Sequence, residues 1–368
     1  METRVIGVAI AAALAVPIAV VGQAPASPST PATPSARVTE VRTTYKGPRT
    51  PWGHPDLQGT WDYRSITPLE RPAQYGNREF YTDAEVKELE ARANKRMDEP
   101  PEDGAPASTI HPTYWTDPGR TVTESRRTSL IIDPPNGRIP PAAEGRAGGG
   151  GRRGGGAAPA AAAGGRGAGG AGAPAGRGGG APQARSGGRA DSWLDRSVLE
   201  RCITWGLPTA LLPGLYNNNI QIVQSPTFVA ITHEMVHDTR VIPIGARPDL
   251  PKEAGGWLGN SWARWEGDTL VVETANFNGR VNYRGSTTNL HLTERYTRVG
   301  KDKVEFRLTV QDPTTWSAPW TVALTMITSE GPLVEYACHE GNYGLRNMLE
   351  VARDEEKAAA EAAAKGQK

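Results

Sequence analysis

What this 368-residue chain lacks narrows its chemistry first. It has two cysteines, Cys202 and Cys338, and no Cys/His spacing of the kind that holds structural zinc. No Gly-x-Ser-x-Gly elbow accompanies a Ser-His-Asp order, and there is neither a phosphate loop nor a dinucleotide fingerprint. The usual serine-hydrolase, nucleotide and nicotinamide chemistries are thereby left without a motif, and no cofactor is implied. Solenoid-type repeats are missing. An excess of one charge is missing too: 41 Lys and Arg stand against 40 Asp and Glu. No stretch expected to fold carries the basic face that nucleic-acid binding requires.

Long apolar runs are also scarce, with one exception at the start. Arg4 precedes the apolar run Val5–Val21, which ends in Gly22-Gln23-Ala24. A short charged start, an apolar segment and small residues at a cleavable site make an export signal over residues 1–24. The alternative, a membrane anchor, needs about 20 uninterrupted apolar residues, and Pro17 breaks this run. No cysteine follows it to carry a lipid. The expected product is periplasmic or extracellular, with no membrane span once the signal is removed. After a flexible lead over residues 25–48, the exported chain meets an oxidising environment. A Cys202–Cys338 disulfide is then expected, tying the start of the second half to its last strand, although two buried thiols fit the count equally.

The net charge of +1 hides an asymmetry. Residues 141–190 carry seven Arg against Glu144, a net of +6, so the remainder is about −5. That segment also holds 20 of the 43 glycines and has nothing to bury, which predicts a disordered insert. An RNA-binding arginine-glycine segment is the competing reading, but such segments interleave aromatics and this one has none.

The rest alternates with a period of two. Val304, Phe306, Leu308 and Val310 share one face while Glu305, Arg307 and Thr309 take the other, and Trp320, Val322, Leu324 and Met326 repeat the pattern. Arg264–Glu266 and Leu270–Thr274 flank Gly267-Asp268, a hairpin turn dipeptide. Leu290–Val299 and Val304–Val310 are separated by hairpin spacing as well. Further strands are expected at Thr39–Thr44, from Gly59, at Thr113–Trp115, Arg126–Ile132, Ile220–Gln224, Thr227–His237, Thr239–Ile244 and Leu333–Ala337. Thr82-Asp83-Ala84-Glu85 is a capping box that opens a peripheral helix to about Met97. Asp191–Cys202 reads as a short helix, and Leu345–Ala364 as a terminal one whose last part, from residue 351, is polar. Eight to ten antiparallel strands with short connections predict a barrel or sandwich, split by the insert into residues 49–140 and 191–350.

Several constellations could carry chemistry. His233-Glu234-Met235-Val236-His237 has the zinc-peptidase spacing, which works on a helix because residues i and i+4 share a face. Here β-branched residues flank it, and on a strand His233 and His237 lie about 13 Å apart at ~3.3 Å per residue, too far to share one ion. His233 instead falls with Val229 and Ile231, as an interior imidazole or a plain core residue. On Leu290–Val299, Glu294 and Arg298 share the face of Leu292 and Tyr296. A buried carboxylate must be paired. Three readings stay open: a structural pair of Glu294 with Arg298 or Arg295, a polar grip on a ligand, or an inverted register with both in water. His339 and Glu340, after Cys338, could act as an acid/base pair at a barrel mouth, with His233 as a further catalytic candidate, or serve loop closure alone. Trp265 belongs to a group with Trp257, Trp262, Trp316 and Trp320 that either lines a pocket or fills the core.

Two resemblances add to this. Gly59-Thr60-Trp61 before a β-meander resembles the lipocalin-like barrels, the calycins, in which that tryptophan closes one end; the likeness implies an internal cavity for a small, largely apolar ligand. Pro55-Asp56-Leu57-Gln58-Gly59-Thr60-Trp61-Asp62, Thr67–Pro72, Arg264–Thr274 and Tyr336–Gly344 together resemble a family of exported bacterial proteins without an assigned activity, over about Arg49–Glu350 apart from the Gly/Ala/Arg insert. The combined expectation is a mainly β, lipocalin-like antiparallel barrel that binds a small molecule. The rivals are an enzyme at the barrel mouth, a zinc peptidase, and a cell-envelope interaction protein without a pocket.

Overall fold

The computed structural model describes residues 41, 43–98, 116–145 and 191–366. The expected signal peptide, most of the lead, the candidate strand Thr113–Trp115 and the insert beyond residue 145 lie outside the described residues.

Ten strands form one sheet: β1 (Gly59–Asp62), β2 (Ile131–Asp133), β3 (Asn219–Gln224), β4 (Phe228–His233), β5 (Thr239–Pro243), β6 (Asn260–Glu266), β7 (Thr269–Ala275), β8 (His291–Gly300), β9 (Lys303–Gln311) and β10 (Trp320–Thr328). Nine follow the order β5-β4-β3-β1-β10-β9-β8-β7-β6, and β2 pairs with β10 beside β1. All eight junctions along this path are antiparallel. Eight reversals leave β5 and β6 pointing the same way, so their meeting must be parallel. It is: Ile244 and Ala263 form a parallel bridge, and the Gly245 amide donates to the Ala263 carbonyl at 2.9 Å. The result is a nearly closed, nine-stranded barrel with a sparse seam between β5 and β6.

Strand alternation fills the interior. The register sets Leu292, Glu294, Tyr296 and Arg298 of β8 against Val310, Leu308, Phe306 and Val304 of β9, and these against Trp320, Val322, Leu324 and Met326 of β10. Trp61, Trp320, Tyr296 and Phe306 are all below 2 % exposed. Each such side chain contributes about 1.5–3 kcal/mol by leaving water.

Polypeptide covers both ends. At the hairpin end, the segment before β1 crosses the opening. Gln224 accepts from the Leu57 amide (2.6 Å) and donates to the Pro55 carbonyl (3.1 Å), while the Trp61 indole donates to the Leu57 carbonyl (2.8 Å). At the other end, Leu207, Ala210, Leu211 and Leu212 are buried, Tyr63 donates its hydroxyl to the Ala210 carbonyl (3.0 Å), and Asp238 accepts from Thr204 and the Trp205 amide. The Cys202–Cys338 disulfide, with Cα atoms 5.6 Å apart, ties the start of this plug to the segment before the terminal helix.

The capping box forms as read: the Thr82 amide donates to Glu85, the Glu85 amide to Thr82 Oγ1, and α1 (Asp83–Asp98) follows. The second helix, α2, spans Tyr343–Gly366 and is largely exposed. No helix among the described residues is long and apolar enough to cross a membrane.

Several expected elements differ. Leu333–Ala337 is irregular, so Cys338 does not follow a strand; both edges of β10 are already paired, with β9 on one side and with β1 and β2 on the other. Asp191–Cys202 forms turns and one short 3-10 stretch at Trp193–Asp195, and ends with Cys202 at a φ of 54°. Of Arg126–Ile132 only the end joins β2, because Arg126 sits at a φ of 55° and Arg127 bridges to Phe80 instead. The described part of Thr39–Thr44 carries no strand.

Candidate functional site

Near the seam the otherwise largely apolar interior carries a polar cluster. Arg240 stands on β5 opposite Ile231, and Glu294 stands on β8 opposite Val272. Arg240 Nη1 donates to Glu294 Oε1 (2.6 Å) and Nη2 to Oε2 (2.8 Å), a two-pronged pair with side-chain exposures of 4 % and 0 %. Tyr296 donates its hydroxyl to the same Glu294 Oε2 at 2.6 Å. Thr274 lies 3.5 Å from Arg240 Nη1 and shares a 2.8 Å hydrogen bond with Ser261. Burial opposes the charge on Arg240, but Glu294 and its hydrogen bonds outweigh it and hold the guanidinium protonated. Burial, then the Glu294 charge, raises the Tyr296 phenol well above its ordinary range.

His233 ends β4 on the same interior face, one residue pair beyond Ile231 and diagonal to Arg240. Burial first, and the Arg240 charge second, push its imidazole down to about 3, so it is neutral at ordinary pH. A neutral imidazole offers one donor and one acceptor. The Ala210 carbonyl lies close enough to favour the charged ring slightly, but among the described residues neither buried ring nitrogen has a hydrogen bond of good geometry, and Arg240 Nε is likewise buried and unmatched. Buried polar groups without a partner are uncommon and call for an explanation.

The strand ends at His233 because the backbone turns back there, with the His233 amide bonded to the Asp238 carbonyl at 2.8 Å. Val236 and His237 both take left-handed backbone angles, with φ of 57° and 45°. The expected strand Thr227–His237 thus ends four residues early, at His233. The bend leaves His237 exposed while His233 is buried, so the two imidazoles face different surroundings. Glu234 accepts from Asn219 Nδ2 at 2.8 Å, steadying the bend. Among the described residues, no three His, Cys, Asp or Glu side chains converge as a metal site.

The other candidates fall elsewhere. Arg298 faces inward but, among the described residues, pairs with neither Glu294 nor any other carboxylate. Its guanidinium lies 5.5 Å from the Trp61 ring centre and donates to the carbonyls of Asp56 (2.5 Å), Gly300 (3.3 Å) and Lys301, closing the hairpin end. Arg295 is on the opposite face, bonded to Glu266 at 2.8 Å. Of the three readings for Glu294 the structural pair is observed, with Arg240 as the partner. Trp265 is stacked by His54 at 4.7 Å and contacts the core at the hairpin end. His339 and Glu340 are exposed on the loop before α2, apart from buried His233. Asn342, beside them, accepts from the Leu345 amide (3.3 Å) and donates to the Glu200 carbonyl (2.9 Å), so this loop caps the helix and fastens it.

Two groups escaped the sequence reading. Arg240 alternates with Thr239 and Val241 and shares its face with Ile242, a pattern that placed a charge on an interior face. On the outer wall, His291 Nε2 lies 3.3 Å from Glu273 Oε2, and this contact leads the effects that hold Glu273 down to about 2. The chain matches no family model, and no curated protein matches it.

Proposed function

We propose that the protein is an exported barrel that binds a small, largely apolar molecule, with one polar group of the ligand placed between His233 and Arg240. The observation that carries this reading is the unmatched hydrogen-bonding capacity of His233 Nδ1, His233 Nε2 and Arg240 Nε on one interior face. Glu294 is already satisfied by Arg240 and Tyr296, so it orients Arg240 rather than meeting the ligand. The disulfide agrees with an oxidising compartment. The calycin resemblance at Gly59–Trp61 points the same way. Because both ends are covered, the ligand enters by movement of the segment before β1 or of the plug at Leu207–Leu212.

The filled interior favours a second reading. With Trp61, Trp320, Tyr296 and Phe306 all buried inside, the barrel can serve as a rigid support for an outer binding surface. Native mass spectrometry of protein purified from its own host separates the two. A retained small molecule, lost on His233→Leu substitution with the fold intact, supports the interior site. Bare polypeptide mass from the host, together with no uptake from a host lipid extract, refutes it and leaves the second reading.

A further inference from the structure

The outer wall holds a cleft that the interior reading does not use. It lies between the exposed face of β9–β10 and the segment that leads into β2, with a volume of about 360 Å³. That is at the small end of ligand-binding cavities. A Lys303–Glu124 ion pair of 2.7 Å joins β9 to that segment, and the Ala323 amide donates to the Leu130 carbonyl at 2.9 Å.

The lining carries charge of both signs beside apolar surface. Glu305 and Arg307 come from β9, Thr325 and Ala323 stand opposite them on β10, and Arg127 and Ile132 come from the facing segment. Glu305 is only 21 % exposed, yet its two side-chain partners are distant: Arg307 Nε and Thr325 Oγ1, both at 3.4 Å. Burial raises its pKa against the opposing pull of Arg307 and Arg127. Arg127 is 18 % exposed and is held by Glu79 and by the Phe80 ring, 5.0 Å away. A carboxylate and two guanidiniums in one small cleft match a guest that carries both charges. The Ala323 methyl, backed by buried Ile132, leaves room for a short apolar side chain.

We infer that this cleft binds a small zwitterion of the free amino-acid class, its ammonium against Glu305 and Thr325 and its carboxylate against Arg307 and Arg127. A pure anion would meet Glu305 unfavourably, and a pure cation would meet the two arginines. Each pole therefore contributes to selectivity, since a charge-assisted hydrogen bond contributes about 1.5–3 kcal/mol, or roughly tenfold to a hundredfold in affinity.

Calorimetric titration of the purified protein with the common free amino acids tests this, with acetate and methylamine as controls for the single poles. At least one amino acid should bind in the millimolar range or tighter, and each control about tenfold more weakly or worse. Glu305→Gln and Arg307→Met should each reduce that affinity about tenfold or more. Ala323→Leu fills the cleft without removing a charge and should abolish binding even if a charge variant folds poorly; circular dichroism monitors the fold. His233→Leu, in the interior, should leave binding intact, which separates this site from the proposed interior one. Absence of binding by every amino acid, equal binding of acetate, or full affinity in Ala323→Leu would each overturn the inference.

Discussion

Removing one half of the Arg240–Glu294 pair should destabilise the barrel far more than removing both halves. The pair is buried, two-pronged and linked to Tyr296. Arg240→Met leaves a carboxylate inside an apolar wall, which costs about 3–5 kcal/mol, a large share of the ~5–15 kcal/mol that holds a typical domain together. Glu294→Leu strands the guanidinium and also orphans the Tyr296 hydroxyl, worth a further ~1–3 kcal/mol. The triple variant Arg240→Met/Glu294→Leu/Tyr296→Phe removes charge, acceptor and donor together and should return to within about 1–2 kcal/mol of the parent. Guanidinium unfolding with matched m-values gives the free energies, and the singles should melt roughly 6–20 °C lower. The pair also reaches from β5 past the seam to β8, so amide exchange at Ile244 and Gly245 should quicken in Arg240→Met. Single variants that lose less than about 1 kcal/mol, or a triple variant that loses the sum of the singles, would refute the reasoning.

Three further outcomes follow from other parts of the fold. Cys202→Ser/Cys338→Ser opens a loop between cysteines 136 positions apart, which in the chain-entropy account lowers stability by about 5 kcal/mol; melting with and without reductant checks it, and the double variant should ignore reductant. His233 is neutral when folded, with its pKa down at about 3, but takes up a proton below about 6.5 when unfolded. Stability should therefore fall with pH from about 6.5 towards 3, by up to ~1.4 kcal/mol per unit, and His233→Leu should remove that part of the slope; parallel pH profiles would contradict it. Arg298→Leu strips three carbonyls of their donor and bares the Trp61 ring, so a loss of about 2–4 kcal/mol and a red-shifted tryptophan emission are expected.

Strand content was legible because alternation is local. The hairpins around Gly267-Asp268 and Gly300–Lys303 could be read directly, and their strands match within a residue or two at most ends, β6 beginning four residues earlier than read. Gly267, with a φ of 58°, makes the first of these turns as a glycine can and most residues cannot. Elements that depend on distant neighbours were not legible in the same way. Leu333–Ala337 has suitable residues for a strand, yet no free sheet edge is left for it beside β10. The Thr227–His237 run looked continuous because its residues favour strands throughout. What ends it is a bend in which Val236 adopts an angle that β-branched residues disfavour, held by bonds from Asn219 and to Asp238.

The site shows the same division between what one strand discloses and what closure decides. Alternation on β8 put Glu294 and Arg298 on one face with Leu292 and Tyr296 but left open whether that face looks inward; it does, opposite buried Leu308 and Val304. Their four-residue spacing suggested a pair, but along an extended strand it separates them by about 13 Å. Arg298 instead reaches the carbonyls that close the hairpin end, while Glu294 is met by an arginine from β5, 54 positions away in sequence. That meeting exists only because nine strands curl until β5 returns to β6, bringing Arg240 within three strands of Glu294. The same curvature brings His233 diagonal to Arg240 on the interior wall, although its own strand neighbours are aliphatic. An interior charge on one strand thus implies a counter-charge on some other strand, and barrel closure decides which.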